Sequence, residues 1–321
     1  MKHSDLAAQS NSPHFVNAGF VVVKPTRLSS RVYEAVREIT SKSTVTDDQK
    51  ALNIVINKLR REKSGLNATV FDKRLYMSGE QYFEQMKRLL PRENDPCSSQ
   101  NKVRCSVLVV HNNWIVSKEA KIYRFREHLM WLYDGENHYY TSETCKYLTY
   151  VNPKPTASHA TSSFSEEKQL KTRQISTLKT ALTIGYLLKR VVILPRFYCD
   201  TNSLQCPLNS LINIRTFDLI FLNQYRESSF LQHPKVPDVV KQSLSKQRLW
   251  HTNRTDKTQK ITTNKIARLC AQIKDKVINV GILEGIRIIF SNHTNGITFS
   301  EAMRKAFRLS DYRQQKLAEY L

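Results

Sequence analysis

The chain has 321 residues, room for two domains of ordinary size, and is 40% hydrophobic and 9% aromatic. That composition excludes a mainly disordered, collagen-like or disulfide-knot protein, and six cysteines are too few for a small disulfide scaffold. A net charge of +22 and a pI near 9.8 make an anionic partner the default, but the charge is dispersed, with no block of five like charges.

Zinc-finger spacings and the nucleotide loops GxGxxG and GxxxxGK[ST] do not occur. No run approaches the roughly 18 apolar residues of a membrane span. The first fifteen residues, MKHSDLAAQSNSPHF, are polar and lack the apolar core of a secretory signal.

Residues 15–23, FVNAGFVVV, read as a buried strand with an NAG turn inside it and Pro25 ending it. Being apolar on both faces, this strand expects neighbours on both sides. Ser29 or Ser30 then caps a helix with Val32, Ala35, Val36 and Ile39 inward. A second helix follows Thr46, with Leu52, Val55, Ile56 and Leu59 at the same spacing, and Gly65 stops it. Residues 66–76 read as short strands, 77–90 as a loop and helix, and 91–104 as a turn-rich loop. SVLVV at 106–110 is a strand with His111 at its C-terminal end, followed by helical alternation over 118–133.

Residues 151–168 are rich in Pro, Ser and Thr, which predicts a linker between a first domain, 1–150, and a second, 169–321. The second opens on an amphipathic helix from Leu170 to Leu188 and the strand VVILP, the step of a layered α/β domain. Residues 212–221 and 276–285 are further strand candidates, and 241–263 read as polar and exposed. Ser300 caps a last helix with Met303, Ala306 and Phe307 inward. Cys97 with Cys105, and Cys199 with Cys206, have spacings a loop disulfide can close; buried free thiols fit equally well.

Three constellations carry possible chemistry. His111 stands where α/β sheets place ligand groups. Asn112 and Asn113 add amides, and Lys118, Lys121, Arg124 and Arg126 follow within four turns, enough to neutralise a diphosphate. The alternative is a strand, a turn and a solvated basic helix. In TDDQK, Asp48 and Gln49 can grip sugar hydroxyls, but Thr46 with Gln49 also makes a capping box, the better local reading. In NAGF, Gly19 can admit a ligand to the backbone and Asn17 can hold a hydroxyl, or the segment is a bulge.

Taken in order, NAGF, DDQKALN and VHNNWIV…K..RFRE..MW resemble the nucleotide-diphospho-sugar transferase family, which includes plant rhamnogalacturonan xylosyltransferases and extensin arabinosyltransferases. The resemblance spans roughly residues 15–134. It implies an α/β fold: a partial A-type, Rossmann-like glycosyltransferase domain, with a second α/β domain appended. It further implies an NDP-sugar donor, a glycan or glycoprotein acceptor, a divalent metal such as manganese, and a Golgi-lumen setting; nucleic acid is not the expected partner. By position, Asp48 and Gln49 match the catalytic pair near the reacting sugar. Asn17, Gly19, Asn112, Asn113, Lys121 and Arg124 match the donor and diphosphate side, and His111 matches a metal ligand.

Two departures matter. The family's Asp-x-Asp metal motif, expected upstream of the NAG strand, is absent, so Met1 is expected to be an internal methionine of a longer protein whose nucleotide-binding half is missing. Ser117 stands where the family usually has Gly, and its side chain would crowd a diphosphate. A fainter likeness to fucosyltransferase-like domains covers residues 169–218, where a helix ending in a basic residue precedes a VLP strand. The expected activity is sugar transfer in the parent. The non-catalytic alternative is a basic protein that binds a glycan, an acidic polymer or RNA.

Overall fold

The computed structural model describes residues 4–12, 15–42, 47–85, 107–135, 138–155, 164–200, 205–206, 208–250, 259–271, 273–290, 301–303 and 307. The protein is a mixed α/β structure with parallel sheets, and it divides into two compact units, Met1–Val116 and Ser117–Leu321. This division lies upstream of the linker expected at 151–168. The strand β6, Tyr147–Val151, pairs inside the sheet of the second unit, and only residues 151–155 and 164–168 of the linker are described.

In the first unit, β1 (Leu6–Ser12) is flanked by β2 (Phe15–Val23), antiparallel, and β3 (Ala68–Val70), parallel. The polar-looking N-terminal segment therefore supplies the central strand: Leu6, Ala7 and Ala8 are buried, and with the two small alanines among polar neighbours the strand was hidden in the sequence. Among the described residues β2 pairs with β1 alone and forms one edge of a three-stranded sheet. One face of the sheet is covered by α1 (Arg27–Lys42) and α2 (Asp48–Arg61). Val32, Leu52, Val55, Ile56 and Leu59 join Leu6, Ala8 and Val16 in one core, as the helical spacing predicts. A parallel pair, β4 (Tyr76–Ser78) with β5 (Val109–His111), completes the described strands of this unit.

Two cap expectations change. Helix α1 begins at Arg27, and the reciprocal bonds of Thr26 with Ser29 (3.0 and 3.1 Å) close its first turn, so Ser29 lies inside the helix. The cap of α2 is Asp47, which accepts from the Lys50 amide at 2.7 Å; Thr46 lies outside the described residues.

A buried amide ties α2 to β2. The Asn53 side chain accepts from the Val16 N–H (2.9 Å) and donates to the Val16 carbonyl (2.8 Å) and to the Gln49 carbonyl (2.7 Å). It pairs β2 as a neighbouring strand would, at a point where the β1–β2 register is broken.

The second unit contains α3 (Lys118–Glu127), β6, α4 (Phe164–Leu188), β7 (Val191–Ile193), and β8 (Phe197–Tyr198) paired with β9 (Gln205–Cys206). There follow α5 (Ile214–Phe221), β10 (Tyr225–Arg226), α6 (Asp238–Gln242), β11 (Leu244–Trp250), β12 (Gln259–Thr262), α7 (Thr263–Ala271), β13 (Val277–Ile282) and β14 (Ile286–Ile289). Its main sheet is parallel, in the order β10-β7-β6-β13-β11. Helix α4 and β7 realise the predicted helix–strand step. Arg190 between them is buried and donates to the carbonyls of Tyr147, Asp275 and Lys276, which pins the start of three strands.

Residues 214–221 are helical, where a strand was expected. Asn213 caps the helix by accepting from the Thr216 amide at 3.2 Å, and Ile214, Phe217 and Phe221 fall on one buried face. Residues 244–250 and 259–262 form strands; Leu244, Gln259, Lys260 and Thr262 are exposed, as expected, and Ile261 is buried. A disulfide joins Cys199 to Cys206; Cys97, Cys105, Ser300, Ala306 and the 91–104 loop lie outside the described residues. Met303 and Phe307 are buried as expected.

At the end of β10 sits a buried carboxyl. Glu227 accepts from the Tyr139 hydroxyl at 2.7 Å through Oε2, while Oε1 has no hydrogen-bond partner. The guanidinium carbons of Arg126 and Arg226 lie 3.5 and 4.0 Å from the centre of the Tyr139 ring. Burial outweighs these cations and holds the Glu227 pKa above its ordinary 4.5.

Two outcomes follow from these contacts. Asn53→Ala leaves both backbone groups of the buried Val16 unpaired and should cost about 2–4 kcal/mol, read from the urea midpoint. For Glu227, the folded state keeps a proton that the unfolded chain releases above pH 4.5, so its contribution to stability falls as pH rises from there through the raised folded pKa. Melting temperatures from pH 4 to 8 should show Glu227→Gln gaining on the parent protein as pH rises.

Candidate functional site

The NAG segment is a bulge. The β1–β2 register runs Leu6↔Val23, Ala7↔Val22 and Ala8↔Val21, then jumps to Gln9↔Asn17, which leaves residues 18–20 without ladder partners. Asn17 shapes the bulge by accepting from the Gly19 amide at 2.9 Å. Gly19 is required by space: a Cβ there would lie 2.2 Å from Cε1 and 2.4 Å from Nε2 of His111. The structure thus brings together Asn17, Gly19 and His111, which are far apart in sequence.

His111 ends β5, opposite Ser78. Its Nδ1 lies 2.8 Å from the Gln9 Oε1, and the Gln9 amide nitrogen donates to the Tyr76 carbonyl at 3.2 Å. The second bond fixes the amide orientation, so Nδ1 donates to the Gln9 Oε1 and Nε2 lies on the Gly19 side. Gln9 is 2% exposed and orients the imidazole from beneath. Asn112 is buried, and Asn113 accepts from the Gly79 amide at 2.8 Å, joining the loops that follow β4 and β5.

These residues do not fit a resident hard divalent cation. Such an ion takes about six oxygen-rich positions, whereas His111 presents one nitrogen beside an amide and a glycine. Among the described residues, no three His, Cys, Asp or Glu side chains converge as a ligand set.

Asp48 and Gln49 open α2 on its exposed side. Asp48 accepts from the Gln49 amide at 2.8 Å, and the Gln49 carbonyl is tied through Asn53 to Val16, the residue before Asn17. Lys121 and Arg124 belong to α3 in the second unit, where Lys121 is exposed and Arg124 is 2% exposed. Ser117, which caps α3 through the Ala120 amide, has φ 84° and ψ 151°. That conformation is essentially reserved for glycine and costs a side-chain-bearing residue roughly 1–3 kcal/mol.

Gln9 and Asn53 were missed in the sequence. Asn53 left a signal, a polar residue inside the apolar spacing of α2; Gln9 lay in a segment read simply as polar. Gly19→Ala should force the imidazole off Gln9, a change visible as altered His111 ring signals by NMR, with the α2–β2 clamp intact.

No curated protein and no solved structure matches the chain. Residues 2–125, from the N-terminal segment into α3, match the family model of nucleotide-diphospho-sugar transferases.

Proposed function

We propose that the first unit is the acceptor-side part of a glycosyltransferase-like domain. Its parent chemistry is transfer of a sugar from an NDP-sugar to a glycan or glycoprotein hydroxyl. The observation that carries this reading is the seating of His111 against Gly19 with Asn17 beside it, which gives the three matched motif residues a shared purpose. The family match over residues 2–125 supports the class of donor. In this reading, the His111 imidazole and the bulge backbone lie on the diphosphate side, and Asp48 and Gln49 face the sugar side. The Cys199–Cys206 disulfide favours an oxidising compartment such as the Golgi lumen.

The described residues do not supply the carboxylates that would hold manganese, so no step is assigned to a metal. A diphosphate is then held mainly by diffuse positive charge. The second reading, a non-catalytic sugar-binding protein, draws on the same fact.

Calorimetric titration of the full chain with UDP and UDP-sugars, with and without manganese, tests the proposal. Weak, salt-sensitive binding is expected, with no measurable transfer, and His111→Ala should weaken it about tenfold. Robust turnover would show that the catalytic machinery has been misplaced. Binding indifferent to both His111→Ala and Gly19→Ala would remove the site.

A further inference from the structure

The tripeptide Asn67-Ala68-Thr69 has the form of an acceptor for N-linked glycan, with alanine rather than proline in the middle. Such tripeptides are frequent by chance, so the surroundings decide. Asn67 is exposed and stands in the connection between α2 and β3. The chain turns there at Gly65, whose φ is 82°. A Cβ at Gly65 would meet no atom within 4 Å, and Arg61, Glu62 and Lys63 are exposed, so the connection faces open space.

The stem beneath this side chain is firmly held. The Asn67 N–H donates to the Asp5 carboxylate, and the Asn67 carbonyl accepts from the Asp5 N–H, both at 2.9 Å. Ala68 is registered with Leu6 at the start of β1. Gln9, which holds His111, lies three residues further along that strand, about 10 Å at roughly 3.3 Å per residue. A glycan on Asn67 therefore leaves from the far end of these strands and keeps clear of the candidate site. The second observation lies outside the tripeptide. The Cys199–Cys206 disulfide places the chain in an oxidising compartment, and secreted and lumenal chains meet N-glycan transfer on that route.

We propose that Asn67 carries an N-linked glycan. In the transfer, Asn67 Nδ2 forms a bond to the anomeric carbon of a lipid-diphosphate-linked oligosaccharide. The bond from that carbon to the diphosphate oxygen breaks, the lipid diphosphate leaves with the electron pair, and Nδ2 gives up one proton. Thr69 is part of what the transferase reads. In the folded protein it is registered with Ala7 in the ladder, and its hydroxyl donates to the Ser4 hydroxyl at 3.1 Å. Attachment thus precedes the pairing of β3 with β1. The inference rests on the lumenal reading above and adds a site that the sugar-transfer reading does not use.

The test is peptide mapping of the full chain purified from its own cells. Trypsin releases residues 64–73 as one peptide, in which Asn67 is the only acceptor asparagine. The unmodified peptide should be nearly missing before treatment with peptide-N-glycosidase. After treatment in heavy-oxygen water it should appear with Asn67 converted to labelled Asp. Expressed in the same cells, Asn67→Gln and Thr69→Ala should each abolish modification of this peptide, and Thr69→Ser should retain it in part. A non-reducing digest of the same sample reports the Cys199–Cys206 bond. Unmodified peptide in full yield beside an intact disulfide would overturn the site and leave the lumenal reading standing. Unmodified peptide together with free thiols at Cys199 and Cys206 would overturn both. The tripeptides at Asn253 and Asn292 lie outside the described residues, and label there but not at Asn67 would likewise overturn this site alone.

Discussion

The first unit depends on one side-chain amide doing the work of a β-strand. Val16 lies where the ladder to β1 is interrupted, and a buried N–H and C=O with no partner would make the bulge untenable. Asn53 supplies both bonds and spends its remaining donor on the Gln49 carbonyl. One residue therefore sets where β2 ends its regular pairing, how α2 lies on the sheet, and where the first turn of α2 stands relative to the bulge. The candidate site takes its position from this clamp.

The bulge has a counterpart in the second unit. In β13, Asn279 accepts from the Gly281 amide at 2.9 Å, and the register shifts between Asn279 and Ile282. Both strands use the same local device, an Asn folding onto the amide of a Gly two residues on. The consequences differ. In β2 the missing Cβ makes room for an imidazole, whereas Gly281 is needed for its backbone, with φ 82°.

The high positive charge is only partly a surface property. Arg124, Arg190 and Arg226 are buried, and Arg190 and Arg226 donate to backbone carbonyls where strands begin or end. Arginine is suited to this because its delocalised charge is less costly to desolvate and its donors form a fixed fork. The charge that remains outside still attracts anions.

What the sequence by itself determined is whatever neighbouring residues encode. The apolar spacing of α1, α2 and α4 and the short apolar runs of β7 and β13 survive into the structure, because one buried face is enough to specify each. The same local code misleads where it is degenerate. The run Ile212–Phe221 satisfies both strand and helix periods, and the Asn213 cap decides for helix from Ile214 onward. The segment of β1 is too small and polar to announce a central strand; pairing on both sides makes it one. The motif residues Asn17, Gly19, Asp48 and His111 were legible as residue types. That Gly19 must be small because His111 fills its Cβ position, and that Gln9 orients a ring 102 residues away, was decided only by the tertiary structure. Contacts made across that much chain depend on register and packing, which no local pattern contains.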